Sequence, residues 1–316
     1  METLKILITG ASGFIGSNIV RHLLKENYEV YGGSRSSEIT WRLRDISKEF
    51  VYIANDITEY KSLRDTIEKV KPDGIVNCAQ YGAYAFENKI SDIYNINLTG
   101  LFNLLEISSE FNINFLINSG TSFEYSGSAN KISEDAQAKP VSNYGVFKAA
   151  GTNLLSLYSN IKKMKLVTLR VFQAYGPYEA KGRLAPYVLC ALLRNEPIRL
   201  NNPSLKRDFV YVKDIASAVE KSIKSMDRFQ GHEIFNIGSG KSTSIKDFVL
   251  TGKKVLNSNS EIIFGNIAGK PEDNVSQLIA DNTKATNIMG WNPDYDISNG
   301  IKDFSAWMKE RIDYYK

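Results

Sequence analysis

The chain has 316 residues, 43% of them hydrophobic and 23% charged, with 39 basic against 35 acidic side chains. That length allows one large α/β unit or two modest domains with a substantial core, so folding requires no disulfide or metal staple. A net charge of +4, dispersed along the chain, argues against a nucleic-acid partner and suits a mildly basic cleft for a small anion.

Cys78 and Cys190 sit in apolar runs with no paired spacing and read as buried thiols of a reducing compartment. His22 and His232 have no partner at metal-ligand spacing, so no metal site is expected. Neither a signal-peptide pattern nor an apolar run of membrane-spanning length is found, and the expectation is a cytoplasmic protein without membrane association.

In chain order, short β-branched runs alternate with amphipathic helical stretches. LKILIT (4–9) reads as a strand and Phe14 to Lys25 as a helix. Strands follow at 28–33, 50–54, 74–78, 113–119 and 166–172. This alternation predicts an α/β fold with a Rossmann-type, doubly wound parallel sheet and ligands beyond the carboxyl ends of its strands. After Phe172 the chain is richer in Pro, Asn, Arg and Lys, with one helix near 185–195. The expected division is a dinucleotide-binding domain over 1–172, rejoined by 208–238, and a smaller interleaved substrate domain over most of 173–316. The strand-like DFVYV (208–212), the helix from Asp214 and the strand EIFNI (233–237) are expected to return to the first unit. Ile301, Phe304, Trp307, Met308 and Ile312 form a helical stripe best read as core packing.

The first strand runs into Thr9-Gly10-Ala11-Ser12-Gly13-Phe14-Ile15-Gly16. At a strand–helix junction, Gly10 permits the tight turn, Gly13 the approach of a pyrophosphate, and Gly16 close packing of helix on strand. The helix start then offers unpaired N–H groups and the positive dipole end to phosphates. The second strand ends Gly32-Gly33-Ser34-Arg35-Ser36-Ser37, with no acid before Glu38 and with Arg42 and Arg44 soon after. An acid here would hold the adenosine ribose of NAD, whereas Ser34 and Arg35 suit a 2′-phosphate, so the expected cofactor is NADP(H). A merely solvated arginine loop is the competing reading. Asp56 and Ile57 after the third strand suit the adenine amino group and ring face, and Ala79 and Gln80 after the fourth are placed to line the channel.

Tyr144 and Lys148 lie one helical turn apart on one face. A free phenol titrates near about 10, and a neighbouring ammonium is expected to bring it toward neutrality for acid–base work. Before them comes the fifth strand and its loop, Asn118-Ser119-Gly120-Thr121-Ser122-Phe123-Glu124-Tyr125.

Together with the glycine loop and the Tyr-Lys pair, that segment resembles the extended short-chain dehydrogenase/reductase family of nucleotide-sugar epimerases, dehydratases and reductases. Asn97 in YNINLTG, LRVFQAYGP (169–177), RDFVYVKD (207–214) and FNIGSG (235–240) extend the resemblance over essentially the whole chain. It implies that Thr121 hydrogen-bonds the reacting sugar oxygen, that Tyr144 is the acid–base residue with Lys148 as partner, and that Asn97 supports the site from a helix. It also implies substrate contacts from Gln173, Arg207 and Lys270, with Arg207 on the diphosphate. Gln173 and Lys270 stand where many relatives have asparagine and arginine, and a lysine cannot make the bidentate phosphate contact. Homodimerisation through helices 91–111 and 143–160 is implied as well.

The 4,6-dehydratases carry Thr-Asp-Glu at the loop, whereas this chain has Thr121-Ser122-Phe123, with Glu124 one residue late and expected to face elsewhere. That leaves epimerases and 4-ketoreductases, and the Gly-Gly-Ser-Arg turn favours the reductase. The expectation is NADPH-dependent reduction at C4 of a dTDP- or CDP-linked 4-keto-6-deoxy sugar in surface-polysaccharide biosynthesis. The alternatives are a nucleotide-sugar 4-epimerase and, from another class, a non-enzymatic NADP-binding regulatory protein.

Overall fold

A computed structural model of the protein describes residues 3–315 except 85, 129 and 266–276. Its strands are β1 (Lys5–Thr9), β2 (Glu29–Ser34), β3 (Val51–Ala54), β4 (Gly74–Asn77), β5 (Phe115–Thr121), β6 (Lys165–Val171) and β7 (Gln173–Tyr175). They continue with β8 (Ile198–Asn201), β9 (Lys206–Arg207), β10 (Phe209–Tyr211), β11 (His232–Ile237), β12 (Thr243–Ser244) and β13 (Ile262–Gly265). The helices are α1 (Phe14–Lys25), α2 (Tyr60–Val70), α3 (Ile90–Tyr94), α4 (Gly100–Glu110) and α5 (Asn143–Lys162). The later ones are α6 (Leu184–Arg194), α7 (Val212–Lys224), α8 (Ile245–Leu256), α9 (Thr283–Met289) and α10 (Ile297–Lys309).

Period-two burial in the apolar runs sets the layers. In β1, Ile6 and Ile8 enter one core while Leu7 enters another on the opposite face. β5 repeats this with Phe115 and Ile117 against Leu116. Strands buried on both faces need helices on both sides, which is the condition for a parallel sheet. Among the described residues, seven strands form that sheet in the order β11-β6-β5-β4-β1-β2-β3, every pairing parallel. The reversal of strand order beside β1 opens the crevice in which such folds bind ligands.

Beyond β6 the chain leaves the sheet. The segment at 208–212 is expected to rejoin the first unit, and it does so by packing: Val210 enters the core that holds Ile6 and Ile8, and α7 packs on α1. Strand β10 itself pairs with β7 in a separate two-stranded sheet, because the place beside β6 is taken by β11. A third core gathers Tyr175, Phe209, Phe248 and the α10 stripe Ile301, Phe304 and Met308. Phe209 and Phe248 stack there with ring centroids 4.6 Å apart. No helix among the described residues is long and apolar enough to cross a membrane.

Candidate active site

The carboxyl ends of β1, β4 and β5 are joined by a buried polar ladder. Thr9 Oγ1 donates to Asn77 Oδ1 (2.6 Å), and Asn77 Nδ2 donates to Asn118 Oδ1 (2.8 Å). Above it lies a cavity of about 420 Å³.

Gly10, Gly13, Phe14, Ile15 and Gly16 form one end of its wall. Gly10 sits at φ +66°, and a Cβ there would meet the Ala79 nitrogen at 2.5 Å; a Cβ on Gly16 would lie 2.3 Å from the Gly10 carbonyl oxygen. Both positions therefore require glycine for the turn itself. At Gly13 a Cβ would meet only that same carbonyl, at 3.2 Å, so the outer side of the turn is open for a phosphate group to approach. The turn thus fits the pyrophosphate of a dinucleotide. Ser34 and Arg35 line the cavity at the end of β2, Arg35 exposed and Ser34 hydrogen-bonded to Ser12 (2.7 Å). Asp56, Ile57, Ala79 and Gln80 line it too. Asp56 already accepts from the Thr58 N–H (2.9 Å) and hydroxyl (2.8 Å).

Thr121 and Tyr144 meet at the cavity's inner end. Ser142 caps α5 by accepting from Gly145 N–H (3.2 Å). A Cβ on Gly145 would lie 2.3 Å from the Phe123 carbonyl, so only glycine lets the first turn of α5 approach the Thr121 loop so closely. The Tyr144 hydroxyl donates to Gln80 Oε1 (2.9 Å) and hydrogen-bonds Thr121. Thr121 Oγ1 accepts from Phe123 N–H (3.3 Å), and since the phenol proton goes to Gln80, it is the threonine hydroxyl that donates to Tyr144.

The electrostatics correct one expectation. Burial, and after it the Glu124 charge, pushes the Tyr144 phenol above its ordinary value instead of down. The Lys148 ammonium donates to the Ser119 carbonyl, and burial lowers its pKa to about 8. Glu124 turns into the core, fully buried, and holds the loop from behind. It accepts from Thr121 N–H (3.1 Å), Thr152 Oγ1 (2.8 Å) and Arg170 Nε (2.9 Å). Asn97 lies on a single π-helical turn, Asn95–Thr99, and donates to the carbonyls of Tyr81 (2.6 Å) and Ile93 (2.8 Å), fixing the loop after β4.

The proposed substrate residues separate. Gln173 lines the cavity. Arg207 does not: it lies on β9, 8% exposed, with Nη1 donating to the Lys206 carbonyl (2.9 Å). Lys270 falls outside the described residues. Sequence reasoning missed Tyr84, Glu87, Glu179 and Arg183, which build the opposite wall. The Arg183 guanidinium sits 5.2 Å from the centre of the Tyr84 ring and its Nε 3.5 Å from Glu179 Oε1; burial raises Glu179 to about 7. The available signal was the run Tyr175-Gly176-Pro177-Tyr178-Glu179, in which an acid directly follows a turn motif. Away from the cleft, His22 meets Glu26 and Glu220, a grouping that sequence spacing did not reveal; Lys224 ion-pairs with both carboxylates.

The family model described as "NAD dependent epimerase/dehydratase family" matches residues 6–238. A UDP-glucuronate 4-epimerase of Thermodesulfobacterium geofontis is 27% identical, covering 98% of both chains. A CDP-abequose synthase of Salmonella muenchen is 29% identical over 97% of this chain and 98% of its own. Among solved structures, the UDP-glucuronic acid 4-epimerase of Bacillus cereus, in complex with UDP-glucuronic acid and NAD, superposes with a TM-score of 0.86. It is 26% identical and covers 98% of this chain and 100% of its own.

Proposed function

The chain belongs to the NAD-dependent epimerase/dehydratase family, and on that premise we propose that it reduces the C4 keto group of a nucleotide-linked 4-keto-6-deoxy sugar with NADPH. The observation that carries this reading is the end of β2: Ser34 and Arg35 line the cavity there, with no carboxylate before Glu38. A 2′-phosphate would meet a hydroxyl and a guanidinium instead of being repelled. An enzyme that must draw reduced cofactor at each turnover gains from NADPH, whereas an epimerase that recycles its cofactor does not.

Bound NADPH would supply the hydride. The residues of this chain handle the oxygen. Thr121 donates to the carbonyl oxygen and polarises it. Tyr144, kept as a neutral phenol by burial, transfers its proton to that oxygen as the alcohol forms. Lys148, anchored on Ser119, holds a positive charge beside the reacting groups. Gln173 contacts the substrate; Arg207 and Lys270 are assigned to it through the resemblance alone. The lobe after residue 172 carries the nucleotide sugar. A homodimer fits the apolar side chains exposed on α3–α5, among them Tyr94, Phe102, Val146, Leu157 and Ile161.

The CDP-abequose synthase relative directs the first substrate to a CDP-linked 4-keto-6-deoxyglucose, with the dTDP-linked sugar second. Substrate-dependent loss of the near-ultraviolet absorbance of NADPH is expected with one of them. The UDP-glucuronate 4-epimerase relative favours a second reading, epimerisation at C4. Interconversion of UDP-hexoses or UDP-uronates without added cofactor, and no NADPH oxidation, would establish that reading instead. A regulatory NADP-binding protein would show neither, and nothing in such a role calls for Thr121, Tyr144 and Lys148 together.

A further inference from the structure

Arg42 lies in the loop between β2 and β3 and lines the same cavity as Gly13, Phe14 and Ser34. Its Nε donates to the Tyr178 carbonyl (2.7 Å), and its guanidinium sits 4.7 Å from the centre of the Trp41 ring. Burial lowers its pKa, which means that the cation is held where water solvates it poorly. Arg21, Arg170 and Arg183 each hold a carboxylate, on Asp45, Glu124 and Glu179 respectively. Among the described residues Arg42 has none within ion-pairing distance. A poorly solvated cation without a counter-charge is costly, and its natural complement is an anion in the cavity it faces.

The placement is built, not incidental. Trp41 stacks on Tyr314 (4.9 Å between ring centroids, 28° between planes) and packs on Tyr178 (5.7 Å). The Tyr178 hydroxyl donates to Asp45 Oδ2 (3.2 Å), and Leu43 is fully buried. The loop is thereby fastened at both sides of Arg42 to residues far along the chain, including the C-terminal turn.

We propose that Arg42 is a diphosphate-binding residue of this cleft, presented to the ligand by the clasp of Trp41, Tyr178 and Tyr314. With Nε taken by the Tyr178 carbonyl, the two terminal NH2 groups remain as a planar fork that matches two phosphate oxygens. Two molecules of this chemistry enter such a cleft: the dinucleotide cofactor and the sugar nucleotide. The inference rests on the dinucleotide chemistry of the family and is independent of the choice between reduction and epimerisation.

Calorimetric titration of NADPH, NADH, UDP, CDP and dTDP into the wild-type protein and Arg42→Gln tests it. If the cofactor is the ligand, the variant binds NADPH and NADH alike about tenfold more weakly, with a shallower salt dependence. If the substrate is the ligand, the loss falls on the nucleoside diphosphates instead. Tyr314→Ala, which keeps the charge and loosens the clasp, lowers the same affinities about threefold. A loss confined to NADPH would assign Arg42 to the 2′-phosphate and overturn the proposal, as would unchanged affinity for all five. Should Arg42→Gln fail to fold, Arg42→Lys decides: an ammonium cannot reproduce the fork, so unaltered binding overturns the claim. The wild-type titration alone tests the dinucleotide reading, which failure to bind either cofactor removes, whereas Arg42's role is removed only when the nucleoside diphosphates too bind the variant unchanged.

Discussion

The two walls of the cleft are made in different ways. The near wall consists of the turns at the carboxyl ends of β1, β2, β4 and β5 together with the first turns of α1 and α5, so each functional side chain sits within a few residues of a sheet strand or helix cap. The far wall consists of the loop around Tyr84, the segment from Gln173 to Arg183, and the clasp at Trp41. Its geometry depends on partners distant in sequence: Asn18 donates to the Pro177 carbonyl across 159 residues, and Tyr315 donates to the Glu179 carbonyl across 136. A parallel sheet delivers strand ends to one edge as a consequence of topology, and chemistry placed there needs little else to position it. A wall of loops has no such guarantee and is held by side chains whose purpose shows only after folding.

The largest expected effect isolates the near wall. Tyr144→Phe removes the transferable proton and the bond to Gln80 while keeping the ring's packing. Turnover is expected to fall about a hundredfold to ten-thousandfold, with cofactor affinity changed little. Full turnover in this variant would place the acid elsewhere and remove the distinction between a catalytic near wall and a binding far wall.

The contrast also explains what was legible in the sequence. The sheet, the glycine turn and the Tyr144–Lys148 pair follow from short-range patterns: period two, a strand–turn–helix junction and a four-residue spacing. The electrostatics of that pair did not follow, since burial is a tertiary property: Tyr144 is raised where the spacing alone suggested lowering, and Lys148 turns to Ser119. Glu124 reads in the sequence only as an acid out of register, although it organises the Thr121 loop from the core side. Its partners Thr152 and Arg170 lie 28 and 46 residues away and carry no local signal. Arg42 stood in the sequence as one more basic residue after β2; the Trp41–Tyr314 stack that gives it a place spans almost the whole chain.

Next in size is the effect of uncoupling the near wall from its support. Glu124→Gln leaves the buried Arg170 cation without its carboxylate, although Tyr125 still accepts from its Nη1 at 2.6 Å. Breaking a buried pair on one side costs about 3 kcal/mol or more, read as a lowered denaturation midpoint. Any protein that remains folded is expected to lose turnover more than cofactor affinity, because Thr121 loses the carboxylate that accepts from its backbone N–H. Equal losses in both would mean that the variant loosens the cleft as a whole.

The smallest effect reaches the same support from β11. His232, on β11, lies between the Ser156 hydroxyl (2.8 Å at Nδ1) and the Thr168 hydroxyl (2.9 Å at Nε2). Burial first, then the Arg170 and Lys284 charges, lowers its pKa to about 4, so the folded protein holds a neutral imidazole. An unfolded chain binds that proton near about pH 6.5. Stability from this residue is therefore complete above that value and declines as pH falls toward 4, by about 1 kcal/mol at pH 6 and more below it. His232→Gln, whose amide can also join two hydroxyls, is expected to remove this part of the acid sensitivity, as measured by denaturation midpoints between pH 4 and 7. An unchanged slope would mean that the imidazole does not charge on unfolding in that window. The acid response would then belong to other groups, and the near wall's support would not depend on a neutral residue from β11.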